Sequence, residues 1–139
     1  MSRTDGQISG MAGEFLAVGK LFKLGLQASV TLGNAKSIDI FAYNVNTKKN
    51  FNIQVKTCRK KNCFPIKVED VEKEHIYIFI FLNDINVSEN YYIVDGKTLL
   101  NNVNEYWGSS YKGAKPSTIP GINYGPLKMF ENNWDLFLK

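Results

Sequence analysis

The run HIYIFIFL, residues 75–82, constrains the fold of this chain more than any other segment. It is continuously apolar, rich in aromatic and β-branched side chains, and too short to cross a bilayer. A strand that is exposed on one side alternates polar and apolar residues, whereas this run does not alternate. The run therefore predicts a β-strand that is buried on both faces.

The segments around this strand predict a mixed sheet with helices packed on it. Residues 10–27 are expected to form an amphipathic helix that ends near Gly25, with an apolar stripe of Met11, Phe15, Val18, Phe22 and Leu26. Further strands are expected over residues 27–33, 36–44, 50–58 and 90–96, a helix capped by Asp95 over 96–107, a loop over 108–125 and a last helix over 126–138. The order predicts an α/β fold in which helices flank a sheet of about five strands.

Length and composition favour one compact domain over residues 1–139. Hydrophobic residues make up 44% of the chain and charged residues 22%, which argues against wholesale disorder. No apolar run is long enough to span a membrane, and the first residues lack the apolar region of a signal peptide. We therefore expect a cytoplasmic protein with no membrane partner, in which Cys58 and Cys63 are reduced thiols.

The charge is unevenly distributed along the chain, whose net charge is +4. Seven basic residues and no acidic one lie between Ile40 and Val68, and the mostly acidic segment EDVEKEH follows. Such a block can be an ordinary solvated surface, or it can supply contacts to nucleic-acid phosphates. The candidate nucleic-acid-binding residues in and beside the block are Lys36, Ser37, Arg59, Lys60 and Lys61.

Three polar residues stand in two adjacent predicted strands where apolar or β-branched residues would be usual: Asp39, Gln54 and Lys56. Side chains alternate between the two faces of a strand. If the hairpin pairs Asp39 with Lys56 and Phe41 with Gln54, all three polar groups lie on one face. A slip of one residue would separate Asp39 from the other two.

Glu14 adds a carboxylate at the edge of the apolar stripe of the first helix, directed toward the sheet. Together the four residues suit metal-assisted phosphodiester hydrolysis. Mg²⁺ prefers oxygen ligands, which the Asp39 carboxylate, the Gln54 amide and the Val55 carbonyl can provide, with Glu14 holding a water molecule of the metal. Lys56 would stand beside the attacking water or the developing charge.

Each of these residues also has an ordinary structural interpretation. Asp39 and Lys56 can form a cross-strand ion pair on an exposed face, and Glu14 can be a solvated residue at a helix edge. A zinc site of Cys58, Cys63 and His75 would lack a fourth ligand. A serine hydrolase is disfavoured because Ser109 and Ser110 lie in no nucleophile-elbow motif and the chain has one histidine.

Over residues 10–60 the chain resembles the PD-(D/E)xK nuclease superfamily, whose fold is named after restriction endonucleases. GEFLAVGKLFKLG resembles the first helix with its glutamate at Glu14, GNAKSIDIFAY the strand of the catalytic aspartate, and NIQVKT the (D/E)xK strand. The chain departs from the motif at two positions, since Ile38 replaces the proline and Gln54 the second acidic residue. Because Gln54 is uncharged, the site has one negative charge fewer to attract the metal.

The resemblance implies a Mg²⁺-dependent endonuclease, with Mn²⁺ as a substitute, that cuts DNA as a homodimer. Its catalytic residues would be Glu14, Asp39, Gln54 and Lys56. Two alternatives stay open. The chain can be a catalytically silent module of the same fold that binds nucleic acid or a protein, or a structural domain with an ion-paired hairpin. If Asp39 and Lys56 pointed to opposite faces of the sheet, the active-site hypothesis would fail.

Overall fold

The computed structural model describes residues 3–33, 35, 37–60, 63–108 and 121–139. Helix α1 covers Arg3–Lys23, and it is followed by the strands β1 (Gln27–Val30), β2 (Ile40–Asn44), β3 (Lys49–Cys58), β4 (Cys63–Pro65), β5 (Ile76–Phe81) and β6 (Asn90–Asp95). The remainder comprises α2 (Gly96–Asn101), α3 (Val103–Trp107), β7 (Gly121–Asn123) and α4 (Tyr124–Leu127), with 3₁₀ turns at Val68–Asp70, Lys128–Phe130 and Trp134–Leu138.

Five strands form the central sheet in the order β1-β2-β3-β5-β6. The neighbouring strands are antiparallel except β3 and β5, which run parallel. The connection between these two strands carries β4, which pairs with β7 in a separate two-stranded sheet, and the acidic segment that follows β4. The mixed α/β sheet flanked by helices is confirmed.

Both faces of the sheet are covered where β5 lies. All six residues of β5 are buried, as the apolar run predicted. Ile76, Ile78 and Ile80 belong to a first core beneath α1, while Tyr77 and Phe79 belong to a second core on the opposite face. The second core is closed by β4, β7 and the short helices α2, α3 and α4.

Helix α1 packs on the sheet with only part of the predicted stripe, since Val18 and Leu26 belong to the first core or pack against it. Ala17 and Leu21 are fully buried against the first core, whereas Phe15 and Phe22 of the expected stripe are more than half exposed. The helix also begins earlier than expected, at Arg3, while its end near Gly25 is confirmed by the positive φ of that glycine. Small residues on the buried face explain the error, because they carry a weaker hydrophobic signal than the two phenylalanines.

The C-terminal half differs from the predicted elements at several points. Asp95 caps α2, since its carboxylate accepts a hydrogen bond from the Thr98 N–H (2.6 Å), but the expected helix is divided into α2 and α3 at Asn102. The last predicted helix is instead α4 followed by 3₁₀ turns. Strands β4 and β7 were not predicted, and residues 109–120 of the predicted loop lie outside the described part of the chain. None of the described helices is both long and apolar enough to cross a membrane.

Candidate active site

Asp39, Gln54 and Lys56 line one pocket at the edge between β2 and β3. The pocket is completed by Ser37 and by three acidic residues of the connection between β3 and β5: Glu69, Asp70 and Glu72. Gln54 and Lys56 lie beside Tyr77 and Phe79 of β5, and therefore project on the face opposite α1. The three polar residues of the hairpin are thus brought together, although their pairing differs from the predicted one.

The hairpin pairs two residues away from the expected register. Phe41 lies opposite Asn52, not Gln54, and the same offset places Asp39 level with Gln54 rather than with Lys56. The cause is the tight turn after β2, where the Asn44 carboxamide oxygen accepts hydrogen bonds from the N–H groups of Asn46 and Thr47 (2.9 and 3.2 Å). Because the offset is an even number of residues, it leaves every side chain on its predicted face.

Asp39 lies where β2 and β3 begin to separate. Its N–H still donates to the Ile53 carbonyl (2.9 Å), but its carboxylate Oδ2 accepts the next N–H of β3, that of Val55 (2.8 Å). The side chain therefore replaces a rung of the ladder and lies between the strands. The N–H and C=O of one strand residue point to the same side, so the Val55 carbonyl also faces this gap.

The Gln54 amide is held from behind by β5. Its Nε2 lies 3.0 Å from the Tyr77 hydroxyl, to which it donates, and 3.0 Å from His75 Nδ1. Tyr77 also accepts the Glu72 N–H (2.7 Å), which ties the acidic connection to the same hydroxyl. With both amide protons engaged, the carbonyl oxygen of the buried Gln54 is the atom left to face the pocket.

Glu14 is not among the residues that line the pocket, since it lies on α1, which packs on the other face of the sheet. At Gly13 the helix backbone packs directly on Thr57 of β3, where a Cβ would collide with the Thr57 hydroxyl. This contact brings Glu14 within electrostatic range of Asp39. Burial, and then repulsion from the Asp39 carboxylate, raise the pKa of Glu14 from an ordinary 4.5 to about 7.

The pocket is acidic. Four carboxylate residues line it (Asp39, Glu69, Asp70 and Glu72), against the single ammonium group of Lys56. This negative lining disfavours the approach of a phosphate without a compensating positive charge, although the exposed Glu69, Asp70 and Glu72 are screened by water. The geometry therefore favours a cation in the pocket before any phosphate.

The described residues can be tested for their fit to a divalent cation. No three His, Cys, Asp or Glu side chains among them converge as a ligand set. Asp39 and Gln54 line the pocket and offer a carboxylate oxygen and an amide oxygen, and the carbonyl of Val55 faces the adjoining gap between the strands. Mg²⁺ commonly takes one or two carboxylates and completes its coordination with water and substrate, so this oxygen set fits.

The five candidate nucleic-acid-binding residues differ in where they lie relative to the pocket. Ser37 lines the pocket and has a positive φ of 60°, an uncommon conformation for a residue with a side chain. The exposed Arg59 donates from Nε to the hydroxyl of the buried Ser9 on α1 (2.8 Å), and Lys60 beside it is exposed. Lys36 and Lys61 lie outside the described residues.

The two cysteines and the histidine do not form a zinc site. Cys58 and Cys63 are not joined by a disulfide, and the Cys58 thiol lies 3.8 Å from the Cys63 carbonyl. His75 faces Gln54 instead. The sequence did not predict the contacts of His75 and Tyr77 with Gln54. The parallel pairing of β3 with β5 decides which residues of the apolar run meet Gln54. A weak signal for the pocket existed in the acidic segment directly before that run.

This architecture has a counterpart among solved structures. A bacterial homing endonuclease superposes with a TM-score of 0.56 at 14% sequence identity, over 95% of this chain and 92% of the endonuclease. The two chains share a fold. No family model and no curated protein sequence matches the chain.

Proposed function

We propose that this protein is a divalent-metal-dependent endonuclease that hydrolyses phosphodiester bonds of DNA, as a QxK variant of the PD-(D/E)xK superfamily. The observation that carries the proposal is the single pocket lined by Asp39, Gln54 and Lys56, with Glu14 coupled electrostatically to Asp39. The fold shared with a homing endonuclease supports the same class of activity. Mg²⁺, with Mn²⁺ as substitute, is the proposed cofactor, and a cytoplasmic homodimer the proposed form.

Asp39, Gln54 and Val55 would hold the metal through oxygen atoms. When bound, the cation would polarise the phosphate and make a nearby water more acidic. His75 and Tyr77 fix the orientation of the Gln54 amide, so that its oxygen rather than its nitrogen faces the pocket. This support gives the uncharged Gln54 the role that an acidic residue has in the usual motif.

Lys56 and Glu14 would serve the reacting groups. The Lys56 ammonium lies in the same pocket and would hold the attacking water or neutralise charge that develops on the phosphate. Glu14, whose pKa is raised to about 7, can take up or release a proton near neutral pH, which suits a residue that orients water. Ser37, Arg59 and Lys60, with Lys36 and Lys61, are proposed to contact the DNA backbone.

Cleavage of supercoiled plasmid tests the proposal. The wild type is expected to nick and linearise plasmid with Mg²⁺ or Mn²⁺ and not with EDTA. Lys56→Ala is expected to cut at least about a hundredfold more slowly, as is usual when a group that stabilises transition-state charge is removed. Lys73→Ala is the matched control, because Lys73 is an exposed lysine of the connection that does not line the pocket.

Three outcomes separate the candidate functions. Metal-dependent cutting that is lost only in Lys56→Ala supports the nuclease. Salt-dependent DNA binding without cutting under any condition would replace it with a silent module of the same fold. Equal cutting by wild type and Lys56→Ala would move the reaction away from this pocket.

A further inference from the structure

Helix α1 is apolar on two opposite sides, and only one of them is covered by the described chain. The covered side packs Ala17 and Leu21 on the first core. The other side carries Ile8, Phe15 and Phe22, which are 57%, 58% and 55% exposed. Since each residue advances about 100° around a helix, the two sides lie about half a turn apart. A helix that is apolar on both sides normally has partners on both sides.

The exposed residues follow a strict heptad pattern. Ile8, Phe15 and Phe22 are spaced by seven residues, and the partly buried Met11 and Val18 fall between them at alternating steps of three and four, with Val18 at the border where it also packs against the first core. We call these five residues the outer stripe. Such a repeat is the pattern by which two helices pack side by side in a coiled coil. It differs from a scattered set of exposed apolar residues, which requires no explanation.

We propose that the outer stripe of α1 packs against the same stripe of a second copy of this chain, in antiparallel orientation. The proposal deepens the homodimer of the proposed function by naming its surface. The stripe is symmetric about Phe15, so that a twofold axis through Phe15 places Ile8 of each copy against Phe22 of the other. Self-complementarity of this kind is what a twofold interface requires.

The charges at the two ends of α1 favour the antiparallel arrangement. The first turn contains both Arg3 and Asp5, whose charges cancel, and the last turn contains Lys20 and Lys23. An antiparallel pair keeps the lysines of the two copies at opposite ends, and it also opposes the two helix dipoles. A parallel pair would place the four lysines together.

A groove beside the stripe offers space for the partner's side chains. It runs between α1 and β6 and is lined by Phe15, Leu16, Gly19, Lys20, Lys23 and Tyr91. Gly19 leaves a notch there, because no atom lies within 4 Å of the position a Cβ would take. The twofold axis through Phe15 places Met11 of the second copy level with Gly19, so that its flexible side chain can enter this notch while the stems of Lys20 and Lys23 cover it.

The size of the surface sets the expected strength. A phenylalanine or isoleucine that is about half exposed buries about 100 Å² when a partner covers it. The three exposed residues therefore bury about 300 Å² per copy. A standard interface needs about 800 Å² per partner, which the rest of the stripe and the groove must complete. We therefore expect a reversible dimer that forms at micromolar concentration, rather than an obligate one.

Sedimentation velocity over a concentration series tests the surface without DNA or metal. The wild type is expected to pass from monomer to dimer, and Phe15→Glu to associate at least tenfold more weakly, because two carboxylates would face each other at the axis. Ile85→Glu is the control, since Ile85 is 97% exposed and far from α1 in the chain. Circular dichroism verifies that each variant is folded.

Disulfide crosslinking tests the orientation, in a background where Cys58 and Cys63 are replaced by serine. A mixture of Ile8→Cys and Phe22→Cys chains is expected to crosslink, whereas each variant alone is not. A monomer at every concentration, or Phe15→Glu that associates like the wild type, would overturn the proposal. Crosslinking of Ile8→Cys with itself would overturn the antiparallel arrangement. Because neither experiment contains DNA, failure of the nuclease proposal would leave both results unchanged.

Discussion

Strands β3 and β5 run parallel and adjacent in one sheet, yet they differ in what they show to the face opposite α1. Toward α1 both are apolar, with Val55 beside Ile78. On the other face β5 presents Tyr77 and Phe79 to the second core, while β3 presents Gln54 and Lys56 at the same levels. The second core therefore ends at β3, and the polar residues stand at its border.

The border explains how a buried amide can be kept beside an apolar core. Gln54 is only 5% exposed, and its burial would be costly without partners. β5 supplies the Tyr77 hydroxyl, and His75 immediately precedes that strand. Strand β5 thus holds the polar side chains in place, and β3 carries the candidate catalytic residues.

The largest effect is expected when a core side chain of β5 is truncated. Phe79→Ala should lower the free energy of unfolding by about 3–5 kcal/mol, because it empties a fully buried site. Lys56→Ala, at the same level on β3, should change it by less than about 1 kcal/mol. Urea denaturation measures both. A similar loss for the two variants would make Lys56 part of the core.

Gly13→Ala should have the next largest effect, because the new methyl group would collide with Thr57 and push α1 away from β3. We expect a loss of about 1–3 kcal/mol in unfolding free energy. Gly10→Ala in the same helix meets no atom within 4 Å and should stabilise the protein by up to about 1 kcal/mol. Two variants of equal stability would show that α1 does not approach β3 this closely.

Tyr77→Phe tests the contact that joins the two strands. It removes the acceptor of the Gln54 and Glu72 hydrogen bonds, which should cost about 1–2 kcal/mol of stability. The freed amide should also weaken Mn²⁺ binding about tenfold. Tyr106→Phe, at a buried tyrosine of the same core that packs on Phe130, should leave Mn²⁺ affinity unchanged. Unchanged affinity in both variants would remove Tyr77 from the support of the site.

The last prediction concerns the dependence of stability on pH. Since the pKa of Glu14 is raised from 4.5 to about 7, the folded protein binds more protons at this group than the unfolded chain between these values. The wild type should therefore lose stability relative to Glu14→Gln as the pH rises from about 4.5 to 7. The difference should be constant outside this window. A constant difference across the whole range would show that the pKa of Glu14 is not raised in the folded protein.

Much of the site could be predicted from the sequence, because successive side chains of a strand point to opposite faces of the sheet. Alternation put Asp39, Gln54 and Lys56 on one face for any even change of register, so that the wrong pairing still grouped them. The pairing itself depends on the turn after Asn44, whose side-chain hydrogen bonds set its length. The sequence of the two strands alone does not contain that information.

Other features could not be predicted, because they depend on which elements meet. His75 and Tyr77 reach Gln54 only through the parallel pairing of β3 with β5. The pattern of α1 gives more weight to the large side chains of Phe15 and Phe22 than to Gly13 and Ala17. The close approach of α1 to β3, however, requires small residues. Local periodicity shows that a helix has an apolar stripe and leaves open which partner covers it.

Titration of Mn²⁺, followed by electron paramagnetic resonance in the absence of DNA, shows whether the pocket between β2 and β3 is a metal site or a cross-strand ion pair. The wild type should bind Mn²⁺, and Asp39→Asn should bind it at least about tenfold more weakly. Asp84→Asn, outside the pocket, should bind it like the wild type. Equal affinity of Asp39→Asn and wild type would contradict the account.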